Sequence, residues 1–341
     1  MAMIKKTLEI RTSPHIVSGY SVDTIMFNVV LALLPISAFA VYAFGLTGLL
    51  TLATAVISCV ATEHVLCRLS GKPSTIRDWS IIITGLLYGL TLPPSLPLWM
   101  VAVGGILAVG LGKAIFGGLG NNPFNPALVG RAILQAAFPA AMTSWIPGFT
   151  PDRFTTLAPT TLTLPFSTPS YDGITTATPL SLWKFDQVAT DASDLAIGFV
   201  SGSAGETSGL LILLGGIYLI ARNMMNWRIP ASIFAAVILL SGALHLADAE
   251  QFASPLFMLF SGGLMLGAVF MATDMVGSPM TSLGCCLYGV LIGVLVVVIR
   301  VWGGLPEGVM YAILLGNAVT PLIDRSIRPT VYGTRIKEPA T

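Results

Sequence analysis

The chain has 341 residues, of which 54% are hydrophobic and 10% charged, with 17 Lys and Arg against 16 Asp and Glu. Its mean hydropathy is +0.83, and since soluble domains carry roughly a quarter charged residues, the composition excludes an ordinary water-soluble domain and implies a lipid bilayer as solvent. A net charge of +1 offers no basic surface for nucleic acid.

Residues 1–23 are polar and mixed, with Lys5, Lys6 and Arg11, and show no cleavable signal pattern. A spanning helix needs about 20 mainly apolar residues. Apolar runs set against their Gly and Pro breakers predict an all-α membrane protein of about ten spans, at 24–44, 46–66, 80–93, 96–117, 126–143, 207–222, 229–246, 256–272, 284–302 and 306–323. Arg68, Lys72 and Arg77 follow the second span and Lys113 closes the fourth. Arg222 and Arg228 flank the junction of the sixth and seventh, and Arg325, Arg328, Arg335 and Lys337 follow the last. The positive-inside rule then places both termini in the cytoplasm and the long segment 144–206 outside it.

The resulting organisation is a cytoplasmic segment 1–23, a five-helix half 24–143, an extracytoplasmic loop 144–206, a second five-helix half 207–324 and a cytoplasmic tail 325–341. Both halves repeat one order of features. In the first, a short run reaches Leu92-Pro93-Pro94, a long run follows, then Gly117-Gly118-Leu119, then a helix with Asn125 and Arg131. In the second, a short run reaches Thr273-Asp274, a long run follows, then Gly303-Gly304-Leu305, then a helix with Asn317 and Asp324. Five spans is an odd number, so the second half is inverted relative to the first, and broken helices at matching places of inverted repeats point to a site near the midplane.

Within the external loop lies Asp172-Gly173-Ile174-Thr175-Thr176-Ala177-Thr178. With Arg11-Thr12-Ser13-Pro14-His15, Asn122-Pro123-Phe124-Asn125-Pro126-Ala127, Phe270-Met271-Ala272-Thr273-Asp274 and Pro321-Leu322-Ile323-Asp324-Arg325, this motif resembles a family of redox-driven ion pumps. The chain is similar to the RnfD subunit of the Rnf ion-translocating ferredoxin:NAD oxidoreductase, and more distantly to its membrane counterpart in the sodium-pumping NADH:quinone oxidoreductase. The resemblance implies FMN joined through its phosphate to the last threonine of a motif of the form D-G-x-[ST]-[GS]-A-T, which a flavin transferase recognises. Here that residue is Thr178, with Asp172, Thr175 and Ala177 in the attachment motif; Thr176 departs from the pattern, where Gly or Ser is commoner. It also implies a bacterial cytoplasmic (inner) membrane, other subunits of the membrane oxidoreductase complex as partners, coupling to Na+ or H+, and an inverted five-plus-five fold similar to urea and ammonium channels.

Polar groups within a bilayer are costly and are functional candidates or paired structural groups. Asn121, Asn122 and Asn125 mark a Gly- and Pro-rich approach to the fifth span, suited to a cation, to riboflavin or another noncovalent flavin, or to helix capping. Asp274, at the break of the eighth span, is a candidate for the ion path, with a plain acidic cap as the alternative. Arg131 pairs with a flavin phosphate, pairs with an acid, or snorkels. Glu63, His64 and His245 are weaker relay candidates, and Cys59, Cys67, Cys285 and Cys286 lack metal-site spacing, although Cys285 and Cys286 could face a cluster in a partner. Gly262, Gly263 and Gly267 make a small-residue face open to a neighbouring subunit.

No Walker A pattern, strand-linked GxGxxG or HExxH occurs, so ATP, NAD and zincin sites are unsupported. The reading is an electron-transfer subunit of a translocase, not a complete enzyme alone. A secondary transporter or channel for a small polar solute and a membrane anchor for redox partners are the rivals, and the Asp172–Thr178 motif separates them.

Overall fold

The computed structural model describes residues 21–71, 75–165, 167, 176–188, 190–198, 201–206 and 208–329. Every regular element among them is helical. The first, α1, spans Val22–Leu69 and starts where Ser21 Oγ accepts from Thr24 N at 3.2 Å, a cap that contributes about 1 kcal/mol. At 1.5 Å per residue its 48 residues would make a rod of about 72 Å, but Gly45, at φ 62° and ψ −137°, interrupts it. A Cβ there would lie 1.9 Å from Arg153 O, so the position admits only glycine.

The chain doubles back at that glycine. Phe27, near the start of α1, meets the Trp79 ring at 5.1 Å, whereas Glu63, near its end, is joined through Lys113 Nζ to the adjacent Ser80, at 2.9 Å on both sides. One apolar run thus supplies two antiparallel limbs, 22–44 and 46–69.

Next come α2 (Ser80–Leu90), α3 (Leu98–Val109, extended by a π turn Gly110–Ala114), α4 (Pro126–Ala137) and α5 (Pro139–Met142). The outer segment holds α6 (Pro179–Ser181), a π turn Leu182–Asp186 and α7 (Ala192–Ile197). Then follow α8 (Gly209–Ala221), α9 (Arg228–Ala247), α10 (Pro255–Phe260), α11 (Leu264–Leu266, running into a π turn Gly267–Met271), α12 (Ser282–Trp302) and α13 (Val309–Ser326). Helices α1, α9 and α12 are long and apolar enough to cross a membrane, and α2, α3 with its π turn, and α8 are shorter but apolar. Their outward faces carry exposed Leu34, Ile57, Leu239 and Leu283, which suits contact with lipid.

Lipid gives no hydrophobic drive for helices to associate, so close backbone approach must supply the packing. Gly85 and Gly89 of α2 provide it against α1: Cβ atoms there would fall 2.7 Å from Val56 Cα and 3.0 Å from Ala55 Cβ. Gly289 and Gly293 of α12 do the same against α9, where Cβ atoms would sit 2.8 Å from the Ile229 and Ile233 carbonyl oxygens. Helices α1 to α4 pack together, as do α9 to α13, and the groups meet where α8 lies on α1 and α4 on α13. Tyr218 Oη donates to Asn28 Oδ1 at 2.6 Å across the first of these seams.

Two predicted spans are not continuous. Helix α4 stops at Phe138 because Pro139 has no N–H for the next helical bond. The 256–272 run breaks between α10 and α11, where Gly262 takes φ 64°. Carbonyls beside that break are answered from another helix: Arg300 Nη1 donates to Met258 O at 2.5 Å and Nη2 to Ser261 O at 2.8 Å. The glycines there face inward, where a Cβ would meet Leu180 from Gly262, Glu307 from Gly263 and Val309 from Gly267, each within 2.6 Å. They serve packing inside this chain rather than an open face.

Candidate functional site

Two cavities occupy opposite ends of the bundle. The one that the predicted topology places outermost has a volume of about 130 Å³ and is lined by Thr178, Arg131, Glu206, Glu307, Trp145 and Tyr311, among others. Thr178 is 7% exposed, and its Oγ1 caps α6, accepting from Ser181 N at 3.3 Å and sharing a 2.9 Å hydrogen bond with Ser181 Oγ. Just before it, Thr176 N donates to Trp145 O at 2.8 Å, tying the approach to the segment after α5. Ala177 is exposed. Asp172 and Thr175 lie outside the described residues.

The cavity wall carries charges from both groups of helices. Arg131 of α4 places Nη2 2.6 Å from Glu307 Oε2, in a pair whose side chains are 8% and 17% exposed. Glu307 Oε1 accepts from Gly263 N at 2.7 Å. Glu307 lies between α12 and α13, outside the helices; burial pushes its carboxyl up, but Arg131, the Gly263 N–H and Arg300 outweigh that and hold it below the usual range. Glu206, in the segment before α8, accepts from Ser203 Oγ at 2.7 Å. Withdrawal from water, then the charge of Glu307, push its carboxyl up to about 7 against the opposing pull of Arg131 and Ser203.

A phosphate on Thr178 would fit these surroundings. Arg131 Nε is buried and has no hydrogen-bond partner among the described residues, and an anionic oxygen is the acceptor such a group lacks. Of the three roles open to Arg131 in the sequence, pairing with an acid is the one in place, with the buried Nε–H left without a partner among the described residues.

The inner cavity, about 100 Å³, is lined by Asn122, Asn125, Phe270, Asp274, Lys113 and Met224, among others. Asn125 joins the two groups of helices: its Oδ1 accepts from Ala127 N at 3.0 Å to cap α4, and its Nδ2 donates to Met271 O at 3.3 Å. Asn121 is exposed and does not line the cavity, whereas Asn122 does, with a buried Oδ1 that has no partner among the described residues. Asp274 stands in the wall and accepts from Val276 N at 3.3 Å.

Several of the remaining sequence candidates are occupied by structural bonds, whereas His64 Nδ1 is buried without a hydrogen-bond partner among the described residues. Glu63 and Lys113 form a buried pair at 2.9 Å that also engages Ser80 Oγ and the Thr75 hydroxyl. His245 Nδ1 lies 2.7 Å from Phe252 O. Cys285 Sγ donates to Pro279 O at 3.1 Å and accepts from Asn226 Nδ2 at 3.2 Å. Glu206, Glu307 and Arg300 were not singled out by the sequence. Each was readable only as an ionisable residue close to a Gly-rich break in an apolar chain.

A family model described as the NQR2, RnfD, RnfE family matches residues 9–333. The chain is 41% identical to the D subunit of a proton-translocating ferredoxin:NAD(+) oxidoreductase complex from Clostridium ljungdahlii, covering 98% of this chain and 99% of that protein. It is 42% identical to the D subunit of the Na(+)-translocating ferredoxin:NAD(+) oxidoreductase complex of Acetobacterium woodii, covering 99% of both. The D subunit of an ion-translocating oxidoreductase complex from Stutzerimonas stutzeri is 39% identical over 92% of both chains. With a match that takes in both groups of helices, both cavities and the segment between them, the chain belongs to the NQR2, RnfD, RnfE family.

Proposed function

We propose that this chain is the membrane electron-transfer subunit of an ion-translocating ferredoxin:NAD oxidoreductase complex, and that Thr178 carries FMN through a phosphoester. The observation that carries the reading is a buried threonine hydroxyl on the wall of a cavity shared by α4, α13 and the outer segment, beside an arginine with an unused N–H. When bound there, FMN supplies one- and two-electron redox chemistry. Thr178 would tether it, and an ester oxygen keeps the lone pair that caps α6. Arg131 would offer Nε to the phosphate while Glu307 keeps its Nη2 fixed. Tyr311 and Trp145 wall the cavity on the remaining sides.

Orientation follows from charge. Arg68, Arg77, Arg222, Arg228, Arg325 and Arg328 lie near the ends of α1, α8 and α13 against Asp23, Asp78 and Asp324, while the opposite end carries Asp152, Asp186, Asp191, Asp194, Asp248 and Glu250 against Arg153 and Lys184. This asymmetry supports an inner, cytoplasmic face for both termini and an outer face for Thr178. Matching contacts support an inverted repeat, since α1 meets α8 and α4 meets α13, the members that correspond in sequence order. The inner cavity, with Asn122 Oδ1 unpartnered among the described residues and Phe270 beside it, suits a second, noncovalent flavin such as riboflavin.

The test is flavin fluorescence of the denatured chain in a gel, after expression with the flavin transferase. Wild type should fluoresce and Thr178→Val should not. Mass spectrometry of the Thr178 peptide without the FMN mass in wild type would refute the attachment, and fluorescence retained by the variant would move it to a neighbouring threonine.

A further inference from the structure

Glu206 is the charged side chain of the outer cavity that has no charged partner in contact among the described residues. Arg131 is joined to Glu307, and Arg300 to the carbonyls of Met258 and Ser261. Among the described residues Glu206 is held by Ser203 alone, through its hydroxyl and its backbone. Its backbone cannot swing to find more: Gly205 N donates to Leu90 O at 2.6 Å, and a Cβ on Gly205 would strike Leu266 at 2.7 Å. The carboxyl is thus fixed where the end of α2 meets α11, in the wall that Thr178 also lines.

We propose that Glu206 is the proton-exchanging group of this cavity, binding one proton from the outer aqueous phase when negative charge enters beside Thr178 and releasing it when that charge leaves. This rests on the reading that Thr178 bears the flavin. The charged and titratable groups facing Glu206 are Arg131 from α4, Arg300 from α12, Glu307 from the segment before α13 and Tyr311 from α13. Arg131 is bonded to Glu307 and Arg300 to carbonyls, and the Nε that each keeps without a partner among the described residues is not hydrogen-bonded to Glu206. A phosphoester adds a fixed negative charge and an arriving electron adds another, so a carboxylate at Glu206 becomes the group whose charge is costliest to keep.

The electron comes from a reduced centre of a partner protein in the complex and passes on to an oxidised one. The proton comes from water and returns to it. An O–H bond forms on Glu206 and later breaks, while the carboxyl is neither oxidised nor reduced. The cavity's net charge is the same before and after.

In the flavin-free chain burial and Glu307 push the carboxyl up to about 7, and the negative charge of the phosphoester pushes it further in the same direction. Below that resting value Glu206 already carries the proton in either state and has nothing to take up. Above that value it is charged at rest, and the arriving negative charge raises its affinity for a proton. Proton uptake on its account therefore opens on the alkaline side of pH 7.

The experiment uses the assembled complex, reduced stepwise in weak buffer with a pH indicator, and counts protons taken up per flavin from pH 6 to 9. At the alkaline end of that range Glu206→Gln should take up fewer protons than wild type, by at most about one, while the denatured chain keeps its fluorescence. Ser203→Ala retains the carboxyl and removes the hydroxyl that favours its charged form, so the opening of the window should move to higher pH. Equal uptake by wild type and Glu206→Gln, with flavin present in both, would overturn the proposal. If Glu206→Gln lacks flavin, the Ser203→Ala profile decides, and an unshifted window overturns it. A wild-type chain with no flavin on Thr178 would instead overturn the reading beneath it.

Discussion

The outer cavity has a wall with an ion pair and a further carboxyl, the inner one a wall mainly of aliphatic side chains and methionines, with two amides, a phenyl ring, Lys113 and Asp274. Outside, Arg131, Glu307, Arg300 and Glu206 converge from four parts of the chain. Inside, Lys113 is consumed by Glu63 and Ser80, and Asn122, Asn125 and Phe270 define the remaining surface with Asp274. Fixed charges suit an anionic adduct whose charge changes; amides and aromatic carbon suit an uncharged ring system held by hydrogen bonds and stacking. One bundle thus presents two chemistries at its two ends.

If that contrast is real, breaking a charge outside should cost far more than breaking an amide inside. Arg131→Met leaves Glu307 buried with the Gly263 N–H as its nearest partner, and removing one member of a buried pair costs about 3–5 kcal/mol. A fall of several degrees in the thermal unfolding of the detergent-solubilised complex should report it. Arg131→Met with Glu307→Gln removes both charges and keeps an acceptor for Gly263 N, so it should recover more than half of the loss. A double variant no more stable than the single one would show that the pair is not what holds this wall.

The inner counterpart is Asn125→Ala. It removes the α4 cap, about 1 kcal/mol, and the bond to Met271 O, about another 1 kcal/mol, and leaves no uncompensated charge. The expected loss is therefore about 2 kcal/mol, with fluorescence at Thr178 unchanged. Flavin released by acid from the native complex should fall if the inner cavity holds a noncovalent flavin. Its persistence at the wild-type level would remove Asn125 from that site.

How far the sequence revealed these features depends on the range of the interaction. Helical class and membrane character were legible because apolar runs are local, and the turn in α1 was marked by Gly45. The same logic failed at Ser261-Gly262-Gly263, which reads as a small-residue helix face. Only Arg300, some 40 residues later, makes the break stable by binding the carbonyls of Met258 and Ser261. Asn121 and Asn122 cannot be told apart locally, since Gly117, Gly118 and Gly120, all at positive φ, steer the loop and decide which amide turns inward. Glu206 and Glu307 sit among Gly, Ser and Pro and read as loop residues; their meeting around Thr178 is a tertiary fact. Thr178 stands out in the sequence through its motif, of which Asp172 and Thr175 lie outside the described residues.

The smallest structural effect, and the sharpest functional one, is expected at Asp274. It is the acid of the inner cavity that no cation pairs with among the described residues, and an unpaired acid in a membrane wall is a functional candidate by default. Asp274→Asn keeps the size of the side chain and an oxygen that can still accept from Val276 N, so stability should change by no more than about 0.5 kcal/mol. Fluorescence at Thr178 should remain at the wild-type level, because Asp274 does not line that cavity. If the acid lies on the ion path, uptake of Na+ or H+ by complex in vesicles should fall severalfold at unchanged flavin content, since an amide cannot carry the charge that offsets a passing cation. Uptake at the wild-type rate would instead make Asp274 a turn-forming residue, and the inner cavity would then serve a bound ring without serving an ion.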